Sequence, residues 1–187
     1  MGCIDLNVPL LRVDLPNFAL FDLDPSADAG FRECGLVARL FRETLGAIGL
    51  RGYVKTSGPD GIHVLVPLAR RHRFSDTHLL VSTIAGALEQ LHPGLVTTEF
   101  LKRNRRGVLI DANQNGPGRT IALVYSVRPH PRGPVSMPLE WDELDESMDS
   151  HDLTMAVSLE RVARRGDLLT SVLDDKQSLS QALRTRR

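Results

Sequence analysis

The chain has 187 residues, 42% apolar and 25% charged, and its 23 Lys+Arg exactly balance its 23 Asp+Glu. That length suffices for one domain with a hydrophobic core, and the zero net charge excludes a polyanion binder steered by its overall field, so any nucleic-acid contact must come from a local basic patch. With no apolar run approaching a membrane span, no signal-peptide pattern, and Cys3 and Cys34 lacking metal or redox spacing, the expectation is a reduced, cytoplasmic protein.

The elements read in chain order as follows. Residues 18–23 form a strand that ends at Pro25. Residues 31–48 carry Phe31, Val37, Leu40, Phe41, Leu45 and Ile48 near helical spacing, with Gly49 as the stop. Strands at 52–56 and 61–67 flank the turn SGPDG. Ser75 or Asp76 caps a second helix that runs to about Leu91 and is closed by Pro93 and Gly94. Strands are expected at 96–101, 107–112 and 120–125. A surface passage, RPHPRGPVSMP, follows, then the acidic EWDELDE, which Trp141 pins to the body. Short helices at 158–165 and 177–184 end the chain. Strand, helix, two strands, helix, then several strands favours an α+β fold, a mixed or antiparallel sheet with packed helices, in a single domain spanning 1–187.

The stretch FALFDLDPS brings Asp22 and Asp24 out of an apolar strand. Residues i and i+2 of a strand share a face about 7 Å apart. Two carboxylates so placed can converge on a cation; without one they repel. Equally, Asp24 could cap the Pro-Ser turn while Asp22 is simply exposed. GVLIDANQN places Asp111 at the end of another apolar run, and the two strand ends could lie side by side. An Asx turn would also account for Asp111. Three carboxylates suit Mg²⁺ or Mn²⁺ rather than zinc. Two such ions could activate a 3′-hydroxyl and hold a nucleotide's phosphates.

KTSGPDGIHVLVPL is not a Walker A sequence. Gly58 and Gly61 permit a tight turn whose N–H groups can hold an anion, with Ser57 adding a hydroxyl and Lys55 a charge. His63 alternates with Leu65 on one strand face, opposite Val64 and Val66; an ordinary hairpin with a hydrogen-bonded histidine is the plainer alternative. LKRNRRG sets Lys102, Arg103, Arg105 and Arg106 before the Asp111 strand, where alternation could split them between the site and solvent. They could grip backbone phosphate or form a solvated basic turn. Arg128, in YSVRPHP, could clamp a phosphate.

Taken together, FDLDP, KTSGPDGIHVLVPL, LKRNRRGVLIDANQN, TIALVYSVRPHPRGPVSMPLEWDEL and GDLLTSVLDD resemble the polymerase domain of bacterial ligase D, in the archaeo-eukaryotic primase superfamily, over roughly residues 2–183. The resemblance implies a primase-polymerase core with an RRM-like sheet. It implies primer extension and gap filling in end joining, a preference for ribonucleotides, manganese as cofactor, NTP or dNTP as substrate, and Ku and an ATP-dependent DNA ligase as partners beside the DNA end. It assigns metal to Asp22, Asp24 and Asp111, and nucleotide phosphates to Ser57, His63 and Arg128. Three departures accompany it. The chain is expected to lack the amino-terminal portion of the family domain. Asn7 stands where the family has a histidine. Asp60 stands where the family turn carries Lys or Arg, and an acid there repels a triphosphate. A degenerate nucleotide- or DNA-binding homologue and a metal-dependent phosphohydrolase remain as alternatives.

Overall fold

The computed structural model describes residues 7–9 (backbone only), 15–180 and 182. The elements are β1 (Asn7–Pro9), β2 (Phe18–Pro25), α1 (Phe31–Ala47), β3 (Tyr53–Thr56), β4 (Ile62–Pro67), α2 (Phe74–Leu91), β5 (Val96–Thr97), β6 (Val108–Ile110), β7 (Thr120–Ala122), β8 (Pro138–Leu139), α3 (Met155–Arg165) and α4 (Leu169–Asp174). Six strands form one sheet in the order β5-β6-β2-β4-β3-β8. Every pairing in it is antiparallel except β5 with β6. Strands β1 and β7 pair separately as a two-stranded ribbon. This is the mixed sheet with packed helices that the element order predicts.

The alternation of side chains along β2 and β4 divides the sheet into two unlike faces. Phe21 and Leu23 of β2 and Ile62, Val64 and Val66 of β4 enter the main core with Val37, Phe41 and Leu45 of α1 and Val81, Ile84 and Leu88 of α2. Phe21 and Phe41 meet with ring centroids 4.5 Å apart, which ties α1 to the central strand. The opposite face carries only a small apolar cluster, Leu20, Leu65 and Ile121, and it is there that the polar residues of β2, β3 and β4 emerge.

Several expected boundaries move, each for a visible reason. Helix α2 begins two residues earlier than a Ser75 cap requires and three earlier than an Asp76 cap. Arg73 precedes it, and the Asp76 carboxylate accepts the Arg73 N–H at 2.8 Å from inside the first turn. The strand expected over 96–101 stops at Thr97, because the Glu89 side chain accepts both the N–H and the hydroxyl of Thr98. The strands at 107–112 and 120–125 shorten to Val108–Ile110 and Thr120–Ala122. The helix expected over 177–184 is not present in its described part. Gln177 instead bridges Leu68, and its side chain pairs with both the N–H and the carbonyl of Arg51. The helical turn lies earlier, at Leu169–Asp174. Trp141 does pin its segment, donating to the Gly52 carbonyl at 3.0 Å under the Arg42 guanidinium.

Candidate nucleotidyltransfer site

Strand register assembles the candidate residues into rows across the open face. Asp22 lies opposite His63, and His63 lies opposite Lys55. On the other side of β2, Leu23 pairs with Ile110, so the next position brings Asp111 beside Asp22, with the Asp111 N–H donating to the Asp22 carbonyl at 3.1 Å. Directly paired residues of an antiparallel sheet point the same way, so Asp111, Asp22, His63 and Lys55 form one line on one face. The next row holds Asp24 on β2, and beside it the turn in which the Ser57 N–H donates to the Gly61 carbonyl at 2.9 Å.

The Gly-rich turn is closed by contact. A Cβ on Gly61 would stand 2.5 Å from the Ser57 hydroxyl and 2.9 Å from the Leu23 carbonyl, so only glycine lets Ser57 fold back over β2. Gly58 lies under the Arg128 side chain, whose nearest atom would be 3.3 Å from an added Cβ. Arg128 rides on a hairpin held at its base by Arg128 N–H to Pro134 carbonyl, 2.8 Å, and Tyr125 N–H to Ser136 carbonyl, 2.7 Å. Tyr125 adopts a φ of 65°, a costly conformation for an aromatic residue, and its hydroxyl is fixed on Asp167 at 2.6 Å.

These parts enclose a cleft of about 660 Å³ with Asp24, Ser57, Gly58, Gly61 and Arg128 in its wall. A smaller cavity of about 190 Å³, roofed by β7, shares Asp24, Ser57 and Arg128 with it and adds Asp22 and His63. The basic run divides, but not by strand alternation, because residues 102–104 form a turn. Lys102 and Arg105 line the large cleft, and their charges act on Asp24, whereas Arg106 turns to Asp28 at 3.8 Å. Arg103 is exposed. Asp60 also lines the cleft, with His151 Nε2 4.0 Å from its carboxylate.

Electrostatics single out Asp24 and Lys55. Burial, followed by the charges of Asp22 and then Asp111 among the acids, lifts the Asp24 carboxyl to about 6, against the lowering pull of Arg105 and Lys102. Lys55 is only 1% exposed, and burial lowers its ammonium to about 7. Its Nζ donates to the Ser136 hydroxyl at 2.5 Å and to the Thr56 carbonyl at 3.1 Å, and it lines neither cavity. Lys55 therefore braces the hairpin that carries Arg128 and does not present its charge to the cleft. His63 is held below its ordinary pKa, first by burial and then by Lys55; in the neutral ring Nε2 donates to Asp22 at 3.1 Å.

An all-oxygen set of three acids on one face, with one carboxyl raised by burial and then by its acidic neighbours, has the chemistry of a divalent-cation site. As placed, Asp22 faces His63 and Asp111 Oδ1 accepts the Asn113 N–H at 2.9 Å. Among the described residues no three His, Cys, Asp or Glu side chains are arranged to hold one metal ion, so ligation requires Asp22 and Asp111 to turn from these partners.

Two residues gain roles that the sequence left open. Asn115 accepts the Leu20 N–H at 2.9 Å and donates to the Leu20 carbonyl at 2.7 Å, replacing a strand neighbour for β2 beyond β6 and fixing the turn after Asp111. Ser136 links Lys55 to the Arg128 hairpin, and nothing in PVSMP signals it. Cys34 is a buried free thiol, while Cys3 and the side chain of Asn7 lie outside the described residues. Among the described residues no helix is long and apolar enough to cross a membrane.

The model of the LigD primase-polymerase domain family matches residues 1–169. The chain belongs to this family. It is 35% identical over 169 residues to a multifunctional non-homologous end joining DNA repair protein LigD of Mycobacterium tuberculosis, covering 90% of this chain and 22% of that protein. It is 34% identical over 149 residues to a LigD of Pseudomonas aeruginosa, covering 78% of this chain and 18% of the relative. Thus the chain spans about a fifth of the length of these LigD relatives. The solved polymerase domain of Mycobacterium tuberculosis ligase D in complex with DNA superposes with a TM-score of 0.79 at 34% identity, over 87% of this chain and 57% of that one. The α+β fold is that of the LigD polymerase domain.

Proposed function

We propose that the protein is a DNA-dependent nucleotidyltransferase that extends a primer, or fills a gap, at a broken DNA end. The observation that carries this reading is the register line Asp111–Asp22–His63 on one face of the sheet, with Asp22 and His63 lining a small cavity that shares Asp24, Ser57 and Arg128 with a cleft of about 660 Å³. Family membership and the end-joining names of the relatives support it.

In this reading Asp22, Asp24 and Asp111 hold Mn²⁺ or Mg²⁺. When bound, such ions lower the pKa of the primer 3′-hydroxyl and offset charge on the departing pyrophosphate. The chain's own residues do the positioning. Ser57 and the N–H groups of the Gly58–Gly61 turn receive phosphate oxygens. Arg128, braced from below through Ser136 and Lys55, supplies a planar donor pair. His63 orients Asp22 by donating to it, and turns toward the incoming phosphates once Asp22 is otherwise engaged. Lys102 and Arg105 neutralise phosphate at the cleft mouth, and Arg103 and Arg106 extend the basic surface along the DNA backbone. Ribonucleotides are the preferred substrates, and Ku and a separate ATP-dependent DNA ligase are the partners at the break.

Primer extension on a gapped duplex, with Mn²⁺ and separate NTP and dNTP pools, tests the reading. Extension lost in Asp22→Asn is expected. Nucleotide binding without extension would mean a degenerate homologue, and template-independent phosphate release a phosphohydrolase.

A further inference from the structure

The loop between β5 and β6 does something the strand pattern does not predict. It leaves Phe100 61% and Leu101 50% exposed, beside Lys102, Arg103, Arg105 and Arg106. Exposed apolar side chains are common on folded proteins and Leu91 is more exposed still, but Phe100 is an aromatic ring set among four cations, the pairing that suits a base and its phosphates. The exposure is not a matter of a slack loop. The Arg105 guanidinium donates to the Phe100 carbonyl at 3.0 Å, the Leu101 N–H to Glu99 at 2.8 Å, the Asn104 N–H to the Leu101 carbonyl at 2.9 Å, and Glu89 holds Thr98. The loop is internally bonded in a form that presents the ring outward.

Phe100 also lines a groove of about 190 Å³ together with Gly86 of α2, Thr98, Asp111 and Asn113. Phe100 and the third carboxylate of the candidate site thus share the wall of one groove, while Lys102 and Arg105 from the same loop line the larger cleft. The occupant must be polyanionic to suit the four cations and must offer a flat apolar face to suit the ring. A nucleic-acid strand with unpaired bases meets both requirements at every nucleotide, whereas an acidic peptide meets the second only where it carries an aromatic side chain.

We infer that Phe100 is a stacking platform for an unpaired base at a DNA end, with the basic residues of its loop gripping the adjoining phosphates. This rests on the DNA-dependent reading above and adds to it one residue contact, the Phe100 ring against an unpaired base. Every base has a π-face, so the contact is sequence-tolerant, and its strength depends on an aromatic ring and not on apolar volume.

The test is fluorescence anisotropy of the full chain with labelled duplexes that are blunt or carry a short overhang, across a salt series. For Phe100→Ala, overhang binding is expected to weaken about ten-fold, with blunt-duplex binding changed less than about two-fold. Phe100→Trp retains overhang binding, and Phe100→Leu behaves like alanine. The salt slope stays unchanged in Phe100→Ala and falls by about 0.7–0.9 in Lys102→Ala. Unchanged overhang affinity in Phe100→Ala overturns the inference while leaving the DNA reading intact. So does equal loss on blunt and overhang DNA, or full rescue by leucine. A wild-type chain that binds neither duplex defeats the DNA reading itself, and the stacking platform with it.

Discussion

Replacing Lys55 by methionine should make the fold more stable and the nucleotide site worse. The amine sits in a fully enclosed position with two neutral acceptors, Ser136 Oγ and the Thr56 carbonyl. Burial moves its pKa from 10.5 to about 7, against the favourable charge of Asp22 and with the unfavourable one of Arg128. A drop of that size is about 5 kcal/mol of penalty on the charged form, at about 1.4 kcal/mol per tenfold. Because the folded pKa lies below the unfolded one, the folded protein sheds this proton first. The Lys55 contribution to stability therefore rises as pH climbs from 7 toward 10.5 and is lowest below 7. Methionine removes the penalty and forfeits two hydrogen bonds worth about 1 kcal/mol each. The net gain is about 2–3 kcal/mol at pH 6–7, crosses zero at roughly pH 9, and is a loss of about 1 kcal/mol at pH 10. Urea unfolding at pH 6, 8 and 10 measures it. Nucleotide KM should rise more than kcat falls, because Ser136 loses the strut under the Arg128 hairpin. A variant less stable than wild type at every pH would refute the reasoning, since the buried ammonium would then be fully compensated.

Asp24→Asn provides the matching test at the acids. Its folded pKa of about 6 exceeds the ordinary 3.8, so its contribution to stability is lost as pH rises from about 4 to 6. The variant should be more stable above pH 6 by at most about 3 kcal/mol, equal to wild type near pH 3.5, and insensitive to Mn²⁺ where the wild-type melting temperature rises. Gly61→Ala should abolish nucleotide binding while the sheet survives, because the new methyl displaces the Ser57 hydroxyl; retained affinity by calorimetry would argue against the turn's role. Asp60→Lys should lower nucleotide KM about ten-fold at low salt, the gain shrinking as ionic strength rises, since the side chain lines the cleft and reverses its sign there. Steady-state kinetics at two salt concentrations decides it.

The sequence was most legible where periodicity is strict. In the FALFDLDP and IHVLVP runs the period of two puts Phe21, Leu23, Ile62, Val64 and Val66 on the core face and Asp22, Asp24 and His63 on the other, which they share with Leu20 and Leu65. The meeting of Asp111 with Asp22 was readable only as a possibility, because register between β2 and β6 depends on pairing that no local pattern encodes. Lys55 misleads for a related reason. Beside Ser57 it reads as a phosphate ligand, yet its partner Ser136 lies eighty-one positions away and draws the amine beneath the cleft. The 96–101 stretch has strand composition, but Glu89 of α2 diverts Thr98 from the ladder. At the C-terminal end, Gln177 reads as helical by propensity, whereas side-chain pairing with the Arg51 backbone commits it to a bridge.

The account stands on three acids from neighbouring strands acting as one ligand set next to a phosphate-holding turn. The most direct measurement is anomalous diffraction from crystals soaked with Mn²⁺ and a non-hydrolysable nucleotide. Manganese peaks contacted by Asp22, Asp24 and Asp111, with the triphosphate against Ser57 and Arg128, are the predicted result. A nucleotide bound elsewhere, or manganese with Asp111 still turned to the Asn113 N–H, would contradict it.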